Sequence, residues 1–139
     1  MFATLPGVKS SLKLGNSAEV IITVTDDMCP AFDGVVVHRV YSTWSMAHHM
    51  ELASRKVLAP HLEEHEEGIG SHLSIDHVAP APLGHSVRVV ATAVEMGPTT
   101  LVCDCIAYDG PRVIGKGKQV QRILPKSKLK SLIERVQHS

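Results

Sequence analysis

The sequence predicts an α+β fold: an antiparallel sheet curled around one long helix, with a short helix at the C-terminus. Three observations carry this. A long apolar segment at helical spacing occupies the first half. The second half holds successive strand-like runs separated by hairpin signals. The length, 139 residues with 44% hydrophobic content, suits a single domain, 1–139, that buries a core without disulfides or metals.

Ala18–Thr25 (AEVIITVT) reads as a first strand because it is rich in β-branched residues. Asp26–Tyr41 holds Pro30, Gly34 and the run Val35-Val36-Val37, and reads as a loop with a short strand. Ser42 and Thr43 are suited to cap the helix STWSMAHHMELASRKVLAP. Met46, Met50, Ala53 and Val57 recur at helical spacing, Ala47, Ser54 and Leu58 form a neighbouring row, and Pro60 ends or kinks the segment. The helix is apolar over a wide arc, as one wrapped by a sheet must be.

After an acidic loop, Ser71–Val78 alternates, with Ser71, Leu73, Ile75 and His77 on the inner face. Pro80 and Pro82 stop the strand and Leu83-Gly84 turns the chain. Ser86–Met96, Thr99–Tyr108 and Arg112–Leu124 follow, so that four strands run in meander style. Gly97-Pro98 marks one turn, and Asp109-Gly110 reads as a two-residue hairpin loop with positive φ at both positions. Leu129, Leu132, Ile133 and Val136 form a terminal amphipathic helix. Such a sheet leaves open edges, and edge-to-edge pairing of two subunits would cover them, which predicts a homodimer.

Fourteen basic and fourteen acidic side chains balance, which gives no global pull toward nucleic acid or membrane. Locally the signs separate. Lys116, Lys118, Arg122, Lys126, Lys128 and Lys130 crowd the C-terminal part, while Glu63, Glu64, Glu66 and Glu67 collect in the loop; both read as solvated faces. Cys29, Cys103 and Cys105 are odd in number and lack a framework spacing, so they read as reduced, buried thiols. The segment MFATLPGVKSSLKLG has no apolar h-region and no run reaches membrane-spanning length, so the expectation is a soluble, cytoplasmic protein.

Three polar residues stand at the edge of the apolar pattern. Thr43 opens the helix, Glu51 sits beside its apolar row, and His77 ends the alternating strand pointing inward. A carboxylate and an imidazole that lean toward a core are costly unless they act, and with a hydroxyl they supply what attack on an acyl carbonyl needs. Partial burial of Glu51 would favour its neutral form and bring it toward a working base. Trp44 lies next to Thr43, as site wall or as core.

From Val40 to Leu129 the chain resembles hotdog-fold thioesterases, and within them the fluoroacetyl-CoA thioesterase-like family. The matching runs are YSTWSMAHHMELA, GIGSHLSIDHVAPAPLG and YDGPRVIGKG. Thr43, a Glu eight residues later at Glu51 and a His twenty-six residues beyond it at His77 keep the family's spacing, and Gly70 keeps the family's Gly seven before the His. The resemblance implies hydrolysis of a small acyl-CoA thioester to free acid and CoA. Glu51 would be base or nucleophile and His77 the proton carrier. Thr43 would be a hydrogen-bonding partner, and the Gly70 backbone N–H would bind the substrate oxyanion. It implies no cofactor and no metal, and a site at the interface of a homodimer or dimer of dimers. It also gives the basic residues a use, since CoA carries phosphates. The stretch before Thr43 is shorter than the family's lid-like segment, and Gln121 stands where the family often has Arg. The reading is therefore a thioesterase of unassigned acyl group.

Three other readings compete. His61-Leu62-Glu63-Glu64-His65 matches the inverted zinc-protease pattern, which would make a metallohydrolase if the run were helical. A hotdog module could bind or sense acyl-CoA without hydrolysis; such a binder has no need of an acid–base pair. A hotdog hydratase uses a different Asp/Asn and His arrangement, whereas Asp76 and His77 fall on opposite faces of a strand.

Overall fold

A computed structural model describes Val8 and residues 10–139. Most of the N-terminal stretch read for a leader lies outside the described residues. The elements are β1 (Ser17–Thr23), β2 (Ala31–Phe32), β3 (Val35–Val36), α1 (Thr43–Leu58), β4 (Glu66–His77), β5 (Ser86–Met96), β6 (Thr100–Asp109), β7 (Arg112–Pro125) and α2 (Lys126–Gln137). Five strands form one antiparallel sheet in the order β1-β5-β6-β7-β4, and β2 and β3 pair as a separate small hairpin.

This order corrects the four-strand meander. In the five-stranded sheet only β5, β6 and β7 pair consecutively; β4 lies beyond β7 as an edge strand. The chain crosses the sheet between β4 and β5, because α1 must be covered from both sides by strands that are distant in sequence. The β6–β7 loop is also one residue later than predicted. Asp109 pairs with Arg112, so Gly110 and Pro111 are the central residues, and Gly110 has φ +59°. Glycine at the first central position with positive φ is the requirement of a type II′ turn. Asp109 instead holds His85 and Arg112 through its carboxylate.

The core lies between α1 and the concave face of the sheet. Met46, Met50, Ala53, Val57 and Leu58 are buried against Val87, Val89, Ala91, Ala93, Leu101, Cys103, Cys105 and Ala107. The helical stripe expected from spacing is therefore the packed one. Cys29, Cys103 and Cys105 are free and buried, and burial pushes the Cys103 thiol up to about 12. Ser42 caps α1 by accepting from the Ser45 N–H at 3.2 Å. Thr43 is then the first helical residue, and its hydroxyl is released from capping.

β4 starts at Glu66, five residues before the alternating run that announced it. Glycine-rich GIG hides a strand whose pairing with β7 runs from Glu66 opposite Pro125 to His77 opposite Gly115. A β-bulge between Gly70 and His72 leaves Ser71 as the extra residue. Gly68 and Gly70 pair with Ile123 and Gln121, while Leu73, Ile75 and His77 pair with Gln119, Gly117 and Gly115. In a regular strand Gly70 and His77, an odd number of residues apart, would face opposite sides. The bulge turns both toward α1, and Ser71 leaves the inner set predicted for it.

Close approach of α1 to β7 rests on two small residues. A Cβ on Gly115 would overlap Met46 Sδ, and one on Gly117 would overlap the Ser74 carbonyl oxygen and lie 2.8 Å from Met50 Sδ. α2 packs loosely along β7 and β4 with no buried residue. Among the described residues no helix is long and apolar enough to span a membrane.

Candidate active site

Two cavities flank the exposed face of α1, each of about 550 Å³. One contains Glu51, with Gly68, Gly70, Leu73, Gln119 and Gln121 from the sheet and His48, Leu52 and Arg55 from the helix. The other contains Thr43 and His77, with Tyr41, Phe32, Val78 and Pro80 around them. Trp44, 48% exposed and in edge contact with Phe32 at 5.6 Å, borders both.

Thr43 and His77 are brought together: Thr43 Oγ1 lies 2.9 Å from His77 Nδ1. The partnership follows from the cap, since Ser42 takes the backbone and leaves the Thr43 hydroxyl for the strand. His77 Nε2 is buried and has no hydrogen-bond partner among the described residues. Burial lowers the His77 pKa from its ordinary value, with the Ala79 main chain acting in the opposite direction. Thr43 therefore fixes the Nδ1 side of a neutral imidazole.

The His77 ring rests edge-on against Tyr41 at 6.4 Å. Tyr41 is fully buried and its hydroxyl bonds His49 Nδ1 at 2.5 Å. Burial pushes the Tyr41 phenol up, and burial followed by the neighbouring His48 pulls His49 down. Of this neutral pair, Tyr41 backs the His77 ring. The sequence reading did not find the pair, because His49 lies on the apolar stripe where a hydrophobe is expected.

Glu51 and Gly70 are also brought together. A Cβ built on Gly70 would lie 3.2 Å from both Glu51 carboxylate oxygens and 3.3 Å from Gln119 Nε2. The missing side chain is what opens this space. Glu51 itself is exposed in the single chain, so the partial burial expected from its place beside the apolar row is absent there. The reason is that β4 is an edge strand and, among the described residues, nothing covers that side of α1. Arg55 is engaged elsewhere, donating to the Gly68 carbonyl at 3.1 Å and pairing with Glu67 at 2.7 Å.

The two pairs do not meet within one chain. Thr43 and Glu51 are eight residues apart on α1, about 12 Å along its axis at the helical rise. Gln119 and Gln121, both 2% exposed, are cavity residues; the sequence reading named Gln121 only as the position where the family often has Arg, and did not name Gln119. Their signal was present in the outward alternation of Lys116, Lys118 and Arg122, which turns the odd-numbered residues inward. The same alternation puts Lys116, Lys118 and Arg122 on the sheet face opposite α1, and Lys118 pairs with Asp104 at 2.9 Å. In one chain these cations do not border either cavity.

The inverted zinc-protease pattern fails on geometry. Ala59–His61 is a single 3-10 turn, Glu66 already begins β4, and His61 and His65 share no helical face. Ser11 Oγ lies 2.7 Å from His61 Nδ1.

The profile of the fluoroacetyl-CoA-specific thioesterase family matches residues 24–127. The chain belongs to this family. It is 31% identical over 85 residues to the fluoroacetyl-CoA thioesterase of Streptantibioticus cattleyicolor, a match that spans 61% of either chain. A Thermus thermophilus hypothetical protein of the thioesterase superfamily has a similar structure, with TM-score 0.88 and 39% identity over 93% of this chain and 96% of that one. A hot-dog-like protein from Thermanaerovibrio acidaminovorans shares the fold at TM-score 0.81 and 18% identity, covering 88% of this chain and 90% of that one. The sheet and its single long helix are a hotdog fold, as the sequence predicted.

Proposed function

We propose that this family member is an acyl-CoA thioesterase that hydrolyses a small acyl-CoA to the free acid and CoA. The observation that carries the reading is the Glu51 carboxylate lying over the bare Cα of Gly70 inside a cavity. A thioester is already activated, so the site needs a group to deliver oxygen to the carbonyl carbon, a donor for the oxyanion and a proton carrier. Glu51 either takes a proton from the attacking water or attacks directly and forms an anhydride that water then opens. The Gly70 backbone N–H meets the developing oxyanion. CoA departs as the thiolate; neutral His77, held by Thr43, accepts the proton that the attacking water gives up, directly or from Glu51, and passes it to that thiolate.

These roles require Thr43 and His77 to reach the carbonyl that Glu51 addresses, across about two helical turns in one chain. A homodimer resolves this. Pairing two copies through the β4 edge would set their α1 helices side by side, and each site would combine Thr43 and His77 of one protomer with Glu51 and Gly70 of its partner. The exposed β4 edge and the exposed Trp44 and Leu52 on α1 support that arrangement. No membrane or nucleic acid is needed as a partner, and the reaction calls for no cofactor. The soluble reading extends to a cytoplasmic location, where acyl-CoA and reduced thiols coexist.

Thiol release from a panel of short-chain, branched and aromatic acyl-CoAs tests the function. Glu51→Ala and His77→Ala should each cut turnover by about tenfold or more. Activity that survives both changes would sink the site. Tight CoA binding with no hydrolysis of any thioester would instead establish a sensor.

A further inference from the structure

Gln119 is the unexplained side chain of the Glu51 cavity. It is 2% exposed, and its Oε1 is buried without a hydrogen-bond partner among the described residues. A buried amide half left unsatisfied is uncommon and costs stability, so the orientation calls for a reason. The other half supplies one. Gln119 Nε2 borders the same small space over Gly70 as the two Glu51 oxygens, at 3.3 Å against 3.2 Å from the point a Cβ would occupy. Reversing the amide would turn an acceptor toward a carboxylate that only accepts. The amide thus presents its donor to the space over Gly70 that the Glu51 carboxylate also borders. Gln121, two residues on, is engaged elsewhere, donating Nε2 to the Ser54 carbonyl at 2.9 Å.

We infer that Gln119 is a further oxyanion donor: its Nε2–H meets the thioester carbonyl oxygen together with the Gly70 backbone, and strengthens that contact as charge develops. The inference rests on the thioesterase reading. A donor aimed where charge develops lowers the barrier while leaving ground-state binding almost unchanged. It also gives the two amides of β7 separate duties, with Gln121 bracing helix against sheet and Gln119 serving the substrate.

The test uses the full chain and an acyl-CoA that the wild-type protein hydrolyses. Gln119→Met, similar in length but without a donor, should lose about a hundredfold in kcat with KM nearly unchanged. Gln119→Glu, the same shape with an acceptor in place of the donor, should lose at least as much, which covers a failure of the methionine variant to fold. A ketone analogue, which presents the carbonyl in its ground state, and a thioether analogue lacking the carbonyl should each bind all three proteins alike. Variants with kcat within twofold of wild type, or equal weakening of both analogues, would overturn the inference while leaving Glu51 and His77 intact. A wild-type protein that hydrolyses no thioester would remove the underlying reading and this inference with it.

Discussion

His77 shows how far a single residue is determined by its surroundings. Its Nδ1 is tied to Thr43 and its ring is backed by Tyr41, while burial lowers its pKa. The sign of the pH effect follows. Folding disfavours the charged ring, so the folded form binds its proton less readily than the unfolded one. The contribution to stability is whole above the ordinary value of 6.5 and is lost as pH falls through the lower folded value. His49 acts in the same direction. If the neutral ring is the working form, the acid limb of kcat/KM should lie below pH 6.5, as a pH–rate profile would read. A limb above that value would contradict the role given to His77. At this scale the sequence placed Thr43 and Glu51 on α1 and His77 at the end of β4, because each position follows from the period of one helix or one strand. It was silent about Tyr41 with His49 and about Gln119, since those depend on which strands neighbour each other.

Among the elements, α1 and β5–β7 were legible because each carries a strong period and ends at a proline or glycine. β4 was legible only in its second half. Its first half pairs with β7 through glycines and glutamates that have weak strand preference, so tertiary pairing decides its conformation. The contact of β4, β7 and α1 yields a stability prediction. Gly117→Ala would place a methyl against the Ser74 carbonyl and Met50 Sδ. It should cost about 2 kcal/mol, the usual price of overpacking, measurable as a lower midpoint in urea. An unchanged midpoint would mean that β4 shifts freely, which its long pairing with β7 argues against.

For the molecule as a whole, the single chain leaves its proposed catalytic face open. Glu51, Thr43, Trp44 and Leu52 are exposed along one side of α1, beside an unpaired strand edge. Leu52→Lys sets a charge in the middle of that face and should convert a dimer to monomers in light-scattering chromatography, with loss of thiol release. A wild-type chain that is monomeric and fully active would remove the dimer from the mechanism. The hotdog fold was legible from element order, while the strand order was not. Hairpin signals specify neighbours in sequence, and nothing local announces that β4 will dock beside β7.

The extra residue at Ser71 has a consequence for how such a site is altered by chance or by design. It acts as a phase shifter between two stretches of one strand. A substitution there leaves the frame intact, whereas deletion of that one residue would put Gly68 and Gly70 out of step with Leu73, Ile75 and His77. The family spacing of Gly70 to His77 is thus a frame as much as a list of side chains. Changes of length in this stretch of β4 are far more dangerous to the chemistry than changes of identity.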